Sequence, residues 1–164
     1  MTQIRHWHSI QIIRQPPGSR VCWAASLAMT LGGSESIRTV QAKARRGGVR
    51  LHTDGSLPVG DLPNVERLAS RFARLRVADV RESPITIELI VSWLQRGRFT
   101  LLGGFNYPGL AALDHAVTFY AVGGDGSMRG TTIRLADPFN GLFRDDFEHF
   151  EEQIMADAHF VIHR

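Results

Sequence analysis

The sequence predicts an α+β fold, with N-terminal helices packed on a C-terminal antiparallel sheet, and three observations predict it. Up to Gly97 the apolar residues recur at three- and four-residue steps, the period of helices with one buried face. After Gly97 they gather into β-branched and aromatic runs separated by Gly, Asn, Asp and Pro. No Ser/Gly linker or internal repeat divides the two patterns, so residues 1–164 read as a single domain, helical over about 20–97 and sheet over about 98–164. With 164 residues, 43% of them apolar, the chain is long enough to bury a core without staples.

Ile4 to Ile13 mixes polar and β-branched residues and reads as an extended arm or strand, ended by the breaker Gln15-Pro16-Pro17-Gly18. Val21 to Leu31 is rich in Ala, Leu and Met, nearly uncharged, and stopped by Gly32-Gly33, which describes a helix buried on most sides with Cys22 in its first turn. Ser36 to Arg46 forms a polar helix ended by Gly47-Gly48. From Asp61 to Phe72, Leu62, Val65, Leu68, Ala69 and Phe72 make an apolar stripe opposite Arg67, Arg71 and Arg74. Thr86 to Arg96, with Leu89, Ile90, Trp93 and Leu94 inward, is the last helix. The strands are Phe99–Phe105, His115–Val122, Thr131–Ala136 and His159–His163. Gly123-Gly124-Asp125-Gly126 supplies the positive φ angles of a tight turn, so the strands on either side of it pair antiparallel.

Composition excludes several classes. The single cysteine, Cys22, permits no intrachain disulfide and no four-cysteine zinc site, and neither a metal nor a cofactor is expected. No apolar run approaches the roughly 18 residues of a membrane span, and Met1 to His8 lacks a signal peptide's apolar stretch. Of the 19 basic residues 18 are arginine, and they are unevenly placed: residues 1–100 carry a net +8 and residues 101–164 a net −5. That asymmetry suits a charged partner. Arg67, Arg71 and Arg74 read as a solvated helix face rather than a nucleic-acid site.

Cys22 leads the chemistry, because a thiolate is a strong nucleophile and a helix N-terminus favours negative charge. Gln15, seven residues earlier across the Pro-Pro-Gly bend, can return over that helix end and donate to an oxyanion beside the Cys22 amide. A base is needed next. His115 is the candidate because it opens an apolar β-run directly after Asp114, whereas His6, His8, His52, His149, His159 and His163 lack a partner defined by the sequence. Asp137, at the end of the strand that pairs with that of His115, is placed to orient the imidazole, and Asn140 is close enough to compete. Trp23 packs beside the nucleophile as a core side chain. With Asn106 and Tyr107, from the stretch Phe105-Asn106-Tyr107-Pro108-Gly109, it makes up the candidate substrate-lining set.

The joint order of Gln15, Cys22-Trp23-Ala24-Ala25-Ser26, Asp114-His115-Ala116-Val117 and Asp137-Pro138 resembles the papain-like cysteine peptidases. It is most similar to compact bacterial members such as the avirulence-effector peptidases of plant pathogens, and also to papain-like toxins injected into competitors. The resemblance implies a papain-like fold with Gln15 as oxyanion donor, Cys22 as nucleophile, His115 as general base and then acid, and Asp137 as orienting group. The sequence departs from the larger enzymes in lacking their disulfides, their propeptide and the Cys-Gly before the nucleophile, and in placing Asp where Asn is usual. The resemblance further implies a peptidase acting on a specific protein, as a bacterial effector or interbacterial toxin made in the cytoplasm without a signal peptide and delivered by a specialised secretion system. A cognate inhibitor or immunity protein would hold it in check. The alternatives are a deamidase or acyltransferase using the same acyl-enzyme, or a catalytically idle fold binding a protein or nucleic acid.

Overall fold

The structure, a computed structural model, describes residues 3–107, 110–154 and 158–164. The elements follow in the order β1 (Ile4–Trp7), α1 (Cys22–Thr30), α2 (Ile37–Arg46), α3 (Leu62–Ala69), β2 (Arg76–Asp79), α4 (Ile87–Arg96), β3 (Phe99–Tyr107), β4 (Leu110–Gly124), β5 (Thr131–Asp137), β6 (Gly141–Asp146), α5 (Phe147–Ile154) and β7 (Ala158–His163). The strands form one antiparallel sheet in the order β2-β7-β3-β4-β5-β6, with β1 paired to the C-terminal part of β4. The fold class is thus the α+β expected. Its division is less clean than a helical half followed by a sheet half, because β1 and β2 join the sheet from the first half and α5 lies in the second. Among the described residues no helix is long and apolar enough to cross a membrane.

The central strands of the sheet, β3, β4 and β7, are buried on both faces. On one face Leu102, Ala116, Phe160 and Ile162 pack with Ala24, Leu27, Val40, Val65 and Leu68 of α1, α2 and α3. On the other, Leu101, Val117, Phe119 and Val161 pack with Ile90, Trp93 and Leu94 of α4 and with Phe147 and Phe150 of α5. Double-sided burial explains why these strands read as continuous apolar runs rather than as an alternation. Phe99 and Phe119, on adjacent strands, stack with centroids 4.6 Å apart.

Helix α1 lies against the middle of the sheet, and every residue from Trp23 to Thr30 is buried. Two buried hydrogen bonds stitch it to β4: Ser26 Oγ donates to Ala116 O (2.9 Å) and Thr118 Oγ1 donates to Ser26 O (2.8 Å). A third joins Thr30 Oγ1 and Thr100 Oγ1 (2.7 Å) across to β3. Apolar packing alone would let a small-residue helix slide; paired polar groups penalise any slip by leaving a donor or acceptor buried without a partner.

Three elements carry weak sequence signals. Strand β2 is a four-residue edge strand with both ends exposed. Strand β6 places Leu142, Arg144 and Asp146 outward and ends in acid, which hides its alternation. Helix α5 is capped by Asp146, whose carboxylate accepts from the His149 N–H (2.8 Å), and it buries Phe147 and Phe150 within an otherwise acidic stretch. His115 does not open its strand. Strand β4 begins at Leu110 and pairs with β3 through Phe105, Asn106 and Tyr107, past a bulge between Gly103 and Phe105. Ala-rich Leu110-Ala111-Ala112-Leu113 has little intrinsic β preference, so the strand extends there because of pairing with β3 rather than propensity.

The stitch predicts that Thr118→Val, which keeps the shape and removes the hydroxyl, costs about 1–2 kcal/mol. Urea denaturation checks this, and an unchanged midpoint would show that the bond to Ser26 does not hold α1.

Candidate active site

Cys22 is the first residue of α1 and is half-buried. Val21 precedes it at the N-cap and makes no side-chain cap. The amides of Ala24 and Ala25 both donate to Val21 O, at 3.0 Å, while the Cys22 amide, at the helix start, has no intrahelical acceptor. An uncapped helix start with Sγ beside it concentrates positive potential where a negative charge on sulfur would be stabilised.

His115 and Asp137 come together through strand register. Thr118 pairs with Ala136. Extending that register by one residue puts Asp137 across from Val117 and leaves His115 as its diagonal neighbour on the same face. The diagonal is bridged by His115 Nε2, which donates to Asp137 Oδ2 (3.0 Å). Asp137 is fully buried and His115 is 5% exposed. The other carboxylate oxygen, Oδ1, accepts from the backbone amides of Phe139 (2.7 Å) and Asn140 (3.1 Å), closing an Asx turn at the strand end. Gly141 follows at φ 96° and carries the chain into β6. Asn140 contributes its backbone amide and is itself exposed, so the geometry pairs His115 with Asp137 rather than with Asn140.

The second partner of His115 is Cys22. Burial works against the ring's charge, but the hydrogen bond to Asp137, the hydrogen bond to and charge of Cys22, and the charge of Asp137 together outweigh it and push the His115 pKa up to about 9. With Nε2 committed to Asp137, Nδ1 is the nitrogen left for the thiol. The structure therefore joins three of the four expected residues directly, and at neutral pH the central ring is imidazolium.

Gln15 is tied to the same place from the other side. Its backbone amide donates to Pro138 O (3.0 Å), one residue beyond Asp137, and Arg14 Nη1 donates to Phe139 O (3.1 Å). The Gln15 side chain folds back over the Pro16-Pro17-Gly18 turn, where Gly18 has φ 74° and Gln15 Nε2 donates to Ser19 O (2.8 Å). That uses one of the two amide hydrogens. Gln15 Oε1 is buried and finds no partner among the described residues.

The substrate-lining expectations fare differently. Trp23 is 2% exposed and its Nε1 donates to Gly55 O (3.0 Å), so it is a core side chain that pins the loop after α2 and is not available to line a cleft. Asn106 and Tyr107 belong to β3 rather than to a loop, and their side chains lie outside the described residues. Three of the remaining histidines are engaged elsewhere: His8 Nε2 meets Leu94 O (2.5 Å), His149 Nδ1 meets Asp145 Oδ2 (2.6 Å), and His163 Nδ1 meets Arg164 O (2.7 Å). Arg67 reaches Gly48 O (3.3 Å), which ties that part of the arginine-rich face to a local loop. Among the described residues no group of three or more His, Cys, Asp or Glu side chains could hold a metal ion.

No protein-family model and no curated protein matches the chain by sequence. Solved structures do match. One is a double glycine motif protease from an AMS/PCAT transporter in complex with the leader peptide, with a TM-score of 0.58 and 18% identity, covering 97% of this chain and 95% of that one. Another is the peptidase domain of Streptococcus ComA, a bi-functional ABC transporter involved in a quorum sensing pathway, with a TM-score of 0.54 and 14% identity over 93% of this chain and 97% of that one. The likeness spans nearly the whole of both partners and gives this chain the papain-like peptidase fold.

The raised His115 pKa has a signed consequence. The folded state binds the imidazole proton more tightly than the unfolded chain, where histidine titrates near 6.5. Its contribution to stability is therefore fully present below about pH 6.5 and is lost as pH rises through about 9. The ring resonances of His115 should titrate near pH 9, with a lower midpoint in Asp137→Asn. A wild-type midpoint at or below the ordinary histidine value would refute the charge arrangement.

Proposed function

We propose that the chain is a cysteine peptidase that cleaves a peptide or protein substrate through Cys22, His115 and Asp137. The observation that carries the reading is the buried His115–Asp137 hydrogen bond with the half-buried Cys22 thiol on the same imidazole. Cys22 Sγ, as thiolate beside the imidazolium, adds to the substrate carbonyl, and the oxyanion is held by the Cys22 N–H and the second Nε2–H of Gln15. His115 gives its proton to the leaving amine as the C–N bond breaks, leaving a thioester. The now neutral ring takes a proton from water, whose oxygen attacks the thioester and releases acid and thiolate. Asp137 holds the ring by Nε2 and stabilises its positive form.

The leader-peptide complex of one structural neighbour supports a peptide as substrate, and makes a peptide with a double-glycine motif the first to try. A deamidase or acyltransferase would use the same steps up to the thioester and differ in the group attacked or in the acceptor. A second reading, favoured by the +8 and −5 portions of the chain, gives the same chemistry to an effector or interbacterial toxin delivered into another cell and neutralised by a cognate inhibitor of complementary charge.

Incubation with double-glycine and unrelated peptides, read by mass spectrometry, tests the reading. Cys22→Ala should abolish cleavage. Asp137→Ala should lower kcat/KM by about tenfold or more, and Asn140→Ala should change it little. Absence of cleavage and of any thioester adduct across a diverse peptide library would overturn the peptidase. Bacterial growth arrest that Cys22→Ala abolishes, with cleaved host proteins, would favour the toxin over a processing enzyme.

A further inference from the structure

A concave surface lies on the sheet. Strands β1, β4, β5 and β6 run side by side there, and their register puts Trp7, Ala121, Arg134 and Arg144 in one row, and Arg5, Gly123, Thr132 and Asp146 two positions along. The small residues Ala121, Gly123 and Gly124 of β4 line a groove of about 390 Å³ together with Arg5, Trp7, Arg134 and Arg144. Arg134 and Arg144 face each other directly across adjacent strands, a like-charge arrangement that weakens a sheet. Among the described residues no carboxylate forms an ion pair with Arg5, Arg134 or Arg144. Trp7 is 58% exposed, an uncommon placement for a side chain of its size. Its ring is nevertheless held on two sides: the Arg134 guanidinium lies 4.5 Å from its centroid, and Tyr120 meets it edge-on at 6.0 Å and 87°.

We propose that this groove is a docking site for an acidic peptide segment, whose carboxylates are forked by Arg134 and Arg144. Two opposed guanidiniums repel until one anion is shared between them, and a carboxylate matches the guanidinium fork. Trp7 fixes one of those forks in place, which lowers the ordering cost of binding. Nucleic acid fits less well. The Trp7 face covered by Arg134 cannot stack on a base, and Asp146, two positions along β6 from Arg144, sets a carboxylate beside the arginine pair that repels a continuous phosphodiester chain. A peptide presents separated charges and avoids both.

The test uses the full chain carrying Cys22→Ala, so that no probe is cut, and the anisotropy of a fluorescein-labelled decapeptide alternating Glu and Ala. The Glu peptide should bind saturably and more weakly as salt rises, while its Lys counterpart and a ten-residue oligothymidylate should bind at least about tenfold less tightly. Arg134→Ala and Arg144→Glu should each weaken the Glu peptide by about tenfold or more. Arg144→Glu also turns the repelling cross-strand pair into an attracting one, so its melting temperature should equal or exceed the parent's, which separates lost binding from lost fold. Equal affinity in the parent and a folded Arg144→Glu protein, no saturable binding, or tighter binding of the oligothymidylate would each overturn the proposal. None of these readouts depends on peptidase activity.

Discussion

A carboxylate sealed from solvent is the constraint around which the site is organised. Asp137 has no exposed surface, and an ionised carboxylate in such a place costs several kcal/mol unless its lone pairs are satisfied. Three donors satisfy it: the His115 ring and the backbone amides of Phe139 and Asn140. The two amides require the chain to turn immediately after β5, and Gly141 completes that turn. The ring donor requires Nε2 to carry a proton, which leaves Nδ1 to face Cys22. The turn and the side of the imidazole that meets the thiol are thus both set by one buried charge.

The thiol is brought to that imidazole by a separate device. Helix α1 offers the sheet mostly Ala, Ser and Leu, which pack closely but specify little about axial position. The reciprocal bonds between Ser26, Ala116 and Thr118 supply the missing register, one residue away from His115. The third anchor is the segment carrying Gln15, whose backbone is tied to Pro138. The proposed nucleophile, base and oxyanion donor come from α1, β4 and the N-terminal segment, and all three are fastened close to Asp137.

Much of this is legible in the sequence. The uncharged, Ala-rich run after Pro-Pro-Gly announces a buried helix with Cys22 at its start, and the glycine cluster at 123–126 announces the β4–β5 pairing that brings His115 and Asp137 together. The true start of β4 is not legible, because Leu110 to Leu113 has weak β preference and is held extended by pairing with β3, a long-range effect that no local window contains. Trp23 adjoins the nucleophile in the chain and reads both as core and as a substrate-lining candidate; its bond to Gly55, 32 residues away, places it in the core. Strand β6 and helix α5 are hidden by acidic residues that, in a linear reading, look like a polar tail. The Arg134–Arg144 opposition is equally invisible, since it exists only once the β5–β6 register is known.

In the proposed mechanism His115, held by Asp137, sets the chemistry of Cys22, and the rate at which iodoacetamide alkylates Cys22 in the folded protein at pH 7 measures this most directly. The wild type should react at least about tenfold faster than His115→Gln, because an imidazolium beside Sγ favours the reactive thiolate and a glutamine amide does not. Equal rates in two proteins with the same circular dichroism spectrum would contradict it.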